Sequence, residues 1–414
     1  MPQAMPRTML QAMEFGLYIH LPYCRSLCPY CAFSKAALHH AEPERLLAAL
    51  ERERSLAVED APDAWRGNRP RTVFVGGGTP TALDPKTLAR FLGWIRAEFD
   101  LSRIREWTVE ANPEGLTDEK LRLLRDGGVQ RLSLGIQSLE PGVLRTLGRI
   151  HSAAGALEAI ERARAAGFTN LSVDLMAGVP GETPEGFARG IAEVIGRGVA
   201  HVSLYALQVE PGTPFAAKAA RGALAAPPDD DAAERYEMAG RLLSEAGYRR
   251  YEVSNWARPG FESRHNEGYW MRRPYLGLGP GAHSFDGARR WGNEENVTRY
   301  FEILESGLLP RDDVREVAEA EAREEAVFLG LRRARGLKRS VIERAAPGVA
   351  DGWVRWAEAA GAVRRDLPGR IRPTERGLMT GVEAAAELFA RGARGARAAA
   401  AGGRGRLDSV PEHC

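Results

Sequence analysis

Between Phe15 and Leu207 the chain repeats one pattern: a short β-branched or apolar run, a turn punctuated by Gly or Pro, and a longer amphipathic stretch. The runs Gly16–His20, Thr72–Val75, Trp107–Ala111, Arg131–Ile136, Leu171–Met176 and Val202–Leu207 predict strands. Pro43–Ala57, Asp84–Phe99, Ser152–Ala166 and Thr183–Arg197 predict helices between them. Strands this apolar are covered on both faces, which sequential βα crossovers achieve. Six such units predict an α/β fold, a partial (β/α)6 TIM-like barrel over residues 15–240; a doubly wound open sheet is the alternative.

After Leu207, Pro211, Pro214 and the run Pro227-Pro228-Asp229-Asp230-Asp231 mark an exit into a linker and a further helix. Residues 241–313 are expected to cover the barrel. In 314–391, helices over Glu316–Leu329, Val341–Ala346 and Gly352–Ala360 precede a hairpin turning at Leu367-Pro368-Gly369, the layout of a smaller winged-helix-like α+β domain. Residues 1–14 read as an N-terminal extension. From Arg391, over 392–414, Arg, Gly and Ala dominate without apolar periodicity, which predicts disorder.

A length of 414 residues accommodates a barrel and a smaller domain. The charge balance, 57 Lys+Arg against 55 Asp+Glu, removes any chain-wide electrostatic case for a nucleic-acid binder, and none is expected. The Arg-rich tail reads as solvated, with peripheral contact to an acidic membrane as its alternative. No apolar run approaches the ~20 residues that cross a bilayer, and Met1–Met13 lacks the apolar centre of a secretory signal. A soluble, cytoplasmic monomer or dimer is expected.

If the strands form a barrel, chemistry belongs at their C-terminal ends. The unusual residues fall there: Cys24, Cys28 and Cys31 after the first strand, Gly76-Gly77-Gly78-Thr79 after the second, Glu110 ending the third, Gln137 after the fourth and Asp174 within the fifth. Of four cysteines, three crowd into this one loop and the fourth is the terminal Cys414, so they are no disulfide framework. Pro22 and Pro29 oppose a regular helix there, leaving a loop with three thiols to turn inward. A structural zinc would need a fourth ligand, for which His20, His39 and His40 are near. A 4Fe-4S cubane held by three cysteines would instead keep one iron open.

The spacing Cys24-x-x-x-Cys28-x-x-Cys31 resembles that of the radical S-adenosylmethionine (SAM) superfamily. The chain from about Leu17 to Leu388 is similar to the branch holding oxygen-independent coproporphyrinogen III oxidase and its heme-chaperone relatives. The motifs that carry this are Tyr18-Ile19-His20-Leu21-Pro22-Tyr23-Cys24, Gly76–Thr81, Leu147–His151, Asp174–Pro180, Glu210–Phe215 and Tyr251–Asn255. The resemblance implies a 4Fe-4S cluster on the three cysteines with SAM on the open iron. It implies SAM contacts from Tyr18, Tyr30, Gly77, Gly78, Thr79 and Glu110. Gln137, Arg149 and Asp174 match residues that hold a second SAM in the oxidase. Ala32 and Ala177 depart from relatives that often carry an acidic and an aromatic residue there.

Each residue also has an ordinary reading. The glycines suit a tight βα turn, Glu110 a helix cap or salt bridge, Arg149 solvent, and His151 a helix start. Asp174 in an apolar strand needs a partner or ligand.

Two features divide the branch. The oxidase usually continues its cysteine motif as Cys-x-Cys, whereas Cys31-Ala32 here is followed by Phe33. His265-Asn266-Glu267-Gly268-Tyr269-Trp270 reproduces the H-N-x-x-Y-W motif of the heme-chaperone branch, which implies heme binding by His265, Tyr269 and Trp270; the ordinary reading is a packed histidine. The expected function is therefore to bind heme and pass it to an acceptor protein. Oxidative decarboxylation of coproporphyrinogen III is the rival, and a radical methylase or heme-degrading enzyme the third reading.

Overall fold

The computed structural model describes residues 15–60, 65, 68–224 and 229–402. The six expected strands form with ends within two residues of expectation: β1 (Phe15–Leu21), β2 (Pro70–Gly77), β3 (Glu106–Ala111), β4 (Arg131–Gln137), β5 (Asn170–Ala177) and β6 (His201–Ala206). A seventh, β7 (Tyr275–Leu278), lies parallel to β1 on the side away from β2, so seven parallel strands run in the order β7-β1-β2-β3-β4-β5-β6. Hydrogen bonds do not close this sheet on itself, which makes it a partial barrel.

The helices begin where local chemistry starts them. Asp84 caps Pro85–Glu98 by accepting from the Thr87 amide, Ser152 caps Ala153–Ala165, and Thr183 caps Pro184–Gly196, while proline at the first turn suits two of the three. Leu17, Ile19, Val73, Val75, Val109, Leu132, Leu134, Val173 and Val202 are at most 1% exposed and make the core. At roughly 25 cal/mol per Å² of apolar surface, burial of this stripe dominates the stability of the unit.

Part of residues 241–313, expected to cover the barrel, extends its sheet. Asn255–Ala257 pairs antiparallel with β6, and His283–Phe285, Arg289–Asn293 and Arg311–Glu316 continue the sheet beyond β7. The chain divides into two compact units: one runs to Glu316, and the other takes Tyr251–Val253, Trp270–Arg272 and everything from Val317.

The second unit has the expected winged-helix layout. Helices Glu319–Leu331, Arg339–Ala345 and Ala350–Ala359 pack on a small sheet of Leu337–Lys338, Arg370–Pro373 and Val363–Arg364. Trp353, fully buried, donates its indole N–H to the Ala384 carbonyl at 2.8 Å. The expectation of disorder from Arg391 needs correcting: the last helix, Gly381–Gly402, continues through Arg391. Ala and Arg are strong helix formers, so the segment needs no apolar stripe to stay helical. Residues 403–414, with Cys414, and the extension 1–14 lie outside the described residues. Among the described residues no helix is long and apolar enough to cross a membrane.

Candidate functional site

The cysteine loop is pinned at its base. The Gly78 amide donates to Leu21 O at 2.7 Å, Thr79 N to Tyr23 O at 2.8 Å and Ala36 N to Pro22 O at 2.8 Å. His20, 4% exposed, shares its Nδ1 with the Tyr18 hydroxyl at 3.1 Å and its Nε2 with Ser34 O at 2.8 Å, so one imidazole clasps both ends of the loop. Gly77 has φ +101°, and a Cβ there would lie 2.5 Å from the His20 ring; one on Gly78 would lie 2.6 Å from the Pro22 carbonyl carbon. The glycines are thus required first by the protein's own packing.

Above this base the strand ends surround a cavity of about 430 Å³. Cys24, Cys28, Cys31, Tyr30, Gly77, Gly78, Thr79, Glu110, Gln137, Arg149 and Asp174 all line it. The three thiols are free of disulfides. Among the described residues no group of three or more His, Cys, Asp or Glu side chains is placed to hold a single metal ion.

A polar chain joins two of the cysteines across this space. Thr79 Oγ1 lies 3.7 Å from Cys24 Sγ and accepts from Asn112 Nδ2 at 2.9 Å; Asn112 Oδ1 accepts from Arg149 Nη2 at 2.6 Å; and Arg149 Nη1 lies 3.5 Å from Cys28 Sγ. Arg149 also donates to Gly135 O at 2.7 Å, while its buried Nε has no protein partner. Asn112 carries no signal of its own in the sequence beyond standing two residues after Glu110 at a strand end; the structure makes it the hub. Glu114, whose carboxylate reaches His151 Nδ1 at 3.1 Å, was equally silent, and the second His151 nitrogen meets Ile136 O at 3.1 Å.

Two carboxyls sit deep in this wall. Burial, and then the nearby Asp174, push Glu110 up to about 8, although the Gly77 amide donates to it at 3.2 Å. Burial also raises Asp174, against the hydrogen bonds of Ser203 and Ser133 and the charge of Arg131. Burial pushes the Cys24 thiol up to about 11; a positively charged cluster iron would reverse that by holding the thiolate. Gln137 is held at φ +62°, beside the irregularity between Gly135 and Gln137 in the β4–β5 register, which aims the chain end into the cavity.

The remaining predicted residues go elsewhere. Tyr18 does not line the cavity; it stands behind it on His20, with its hydroxyl raised by burial and then by Glu110. The H-N-x-x-Y-W segment lies where β1, β2 and β7 begin, the opposite end of the barrel. His265 is 3% exposed, with Nδ1 2.9 Å from Thr72 Oγ1 and Nε2 2.8 Å from the Tyr269 hydroxyl. Burial, then the charge of Arg131, lowers it to about 3, so it is neutral with both nitrogens engaged. Trp270 belongs to the second unit, where the Arg332 guanidinium stands 5.4 Å from its ring centroid.

Three thiols at the C-terminal rim of a partial parallel barrel, with a glycine turn packed beneath them, define the class: a radical SAM protein. Residues 18–191 match the Radical SAM superfamily. Heme chaperone HemW of Mycobacterium tuberculosis is 42% identical over 353 residues, 83% of this chain and 89% of that protein. Heme chaperone HemW of Bacillus subtilis is 38% identical over 325 residues, 78% and 84% of the two chains. The coproporphyrinogen III oxidase HemN of Escherichia coli, described as a radical SAM enzyme, shares the fold with a TM-score of 0.76 over 93% of each chain at 24% identity. The chain belongs to the HemW family of the radical SAM superfamily. A 4Fe-4S cluster and SAM come with that superfamily.

Proposed function

We propose that this protein binds heme and hands it to an acceptor protein, with a SAM-bound 4Fe-4S cluster at the strand ends. The observation that carries the reading is identity spread over nearly nine-tenths of a relative named as a heme chaperone. Phe33, standing where the oxidase usually has a further cysteine, favours the chaperone over coproporphyrinogen oxidation.

Cys24, Cys28 and Cys31 are the residues that would hold the cluster, leaving one iron for the amino and carboxylate groups of SAM. The fit rests on the donor set, three thiols free of disulfides that line one cavity. When bound and reduced, the pair supplies one-electron cleavage of the sulfonium C–S bond. The chain's own contributions are positional. Gly77 and Gly78 keep the methionine side open, Tyr30 closes the cavity edge, and Glu110 provides a carboxyl for ribose hydroxyls or an ammonium. Gln137, Arg149 and Asp174 share the same cavity and would hold either the far side of that SAM or a second one. Arg149 would place its single positive charge beside the Cys28 thiolate and is tied through Asn112 and Thr79 to Cys24.

Titration of the anaerobically prepared protein with heme tests the function: saturable binding, followed by transfer to an apo-acceptor, is expected. A wild type that takes up no heme, or that converts coproporphyrinogen III to protoporphyrinogen IX, would overturn it.

A further inference from the structure

The interior of a parallel barrel is ordinarily filled by branched apolar side chains. On β4 to β6 the alternate positions that face one another are polar instead. Arg131 and Ser133 of β4, Ser172 and Asp174 of β5, and His201 and Ser203 of β6 share that face, joined by hydrogen bonds from strand to strand. In the middle of it stands one guanidinium. Arg131 is 1% exposed, and among the described residues it forms no ion pair; its Nη2 donates to His201 Nδ1 at 3.3 Å.

A buried cation without an ion-pair partner is costly, so negative charge must stand within its reach. Its imidazole neighbours supply none: burial, and then the charge of Arg131 itself, hold both His201 and His265 neutral. Glu106, on β3, is engaged by the Ser263 hydroxyl and the backbone amides of Arg264 and His265. What remains is the carboxyl pair of the cavity wall. Ser133 stands two residues beyond Arg131 on the same face of β4, about 7 Å along the strand. Its hydroxyl donates to Asp174 at 3.2 Å, and it is the register partner of Glu110. Burial raises both carboxyls, and the charge of Arg131 opposes that rise in both. Besides the thiols of the same cavity, the other groups facing the pair are the Tyr18 and Tyr269 hydroxyls, which are neutral, and Arg149 at the rim. Arg131 does not line the cavity, so it can act there only through the two carboxyls.

We propose that Arg131 is a positioning residue for the SAM site: a fixed cation beneath the strand ends that keeps negative charge available on the Glu110 and Asp174 pair, so that the wall favours cationic SAM over S-adenosylhomocysteine. The second ligand has the same nucleoside and amino acid but a neutral sulfur. Without the guanidinium the buried pair keeps its proton to higher pH, and the sulfonium charge meets a neutral wall. The proposal rests on the placing of SAM in this cavity and adds to it a source of charge that lies outside the lining.

The test is anaerobic equilibrium dialysis of the cluster-loaded full chain with labelled SAM and labelled S-adenosylhomocysteine over a range of pH. The ratio of the two affinities cancels titration of the amino group that the ligands share. In wild type the preference for SAM should grow as pH rises through about 8, where Glu110 gives up its proton. Arg131→Met should move that rise up by about one pH unit and so cut the preference about tenfold at neutral pH, while Arg131→Lys should keep it near wild type. Arg131→Gln, which can still donate to His201, repeats the measurement should the Met variant not fold. A wild-type preference that does not vary with pH overturns the proposal without any variant. So does a folded, cluster-loaded neutral variant that weakens both ligands equally or neither, since a purely structural role for Arg131 leaves the ratio unmoved. A wild type that binds neither ligand brings down the SAM site itself; binding of both with a flat ratio brings down this inference alone.

Discussion

The two ends of the barrel are both rich in polar side chains, and they differ in what those side chains have left to do. At the strand starts, His265, Thr72, Tyr269 and Glu106 satisfy one another around about 20 Å³. At the strand ends, three thiols, two raised carboxyls and the Arg149 guanidinium surround about 430 Å³. Buried polar groups that pair completely hold a fold together, whereas groups left incomplete around a void are arranged for a ligand. Residue type alone does not separate the two cases.

The comparison breaks most sharply at the cysteines. Cys28→Ala should reduce iron and sulfide after anaerobic reconstitution to background while leaving circular dichroism unchanged; retention of a full cluster would move the metal site elsewhere. The next largest effect is on the pH dependence of urea unfolding in the cluster-free protein. Between pH 6.5 and about 3 an unfolded His265 takes up a proton that the folded one refuses, so stability falls as pH drops through that window. Glu53 acts in the opposite direction. Burial raises it from 4.5 to about 7, against hydrogen bonds from Tyr300, Gly279 and Asn293, so the folded carboxyl keeps a proton that the unfolded one has lost, and stability falls as pH rises from 4.5 to about 7. His265→Gln should flatten the acid limb; an unchanged limb would show that His265 is not held neutral.

Smaller effects sharpen the contrast inside the cavity. Asn112→Ala removes the link between Thr79 and Arg149 and should weaken SAM binding by about 1–2 kcal/mol, on the order of tenfold. The check is SAM titration followed by the electron paramagnetic resonance of the reduced cluster. Gln137→Gly relieves a left-handed backbone at φ +62° and should raise the stability of the cluster-free protein by up to about 1 kcal/mol. Urea midpoints measure it, and a loss of stability would mean that the Gln side chain holds the turn.

Legibility followed the range of the forces involved. β1 to β6 and the helix caps at Asp84, Ser152 and Thr183 were readable because period-two runs and capping side chains act within a few residues. β7 was not: Tyr275–Leu278 is four residues long, and only its place beside β1 makes it a strand of the parallel sheet. Asn112 escaped notice because its partners Thr79 and Arg149 are 33 and 37 positions away. His265 invited a ligand's role through its motif, and the motif is silent about Thr72, which occupies one of its nitrogens from 193 residues away.

By itself the sequence determined that there is a barrel of βα units, a three-thiol loop after the first strand, and a winged-helix-like region at the far end of the chain, since apolar period, cysteine spacing and turn residues are local facts. Only the tertiary structure decided which polar residues are spent and which are available. That choice depends on partners from distant strands and on the volume enclosed between them, neither of which is written in the order of residues along the chain.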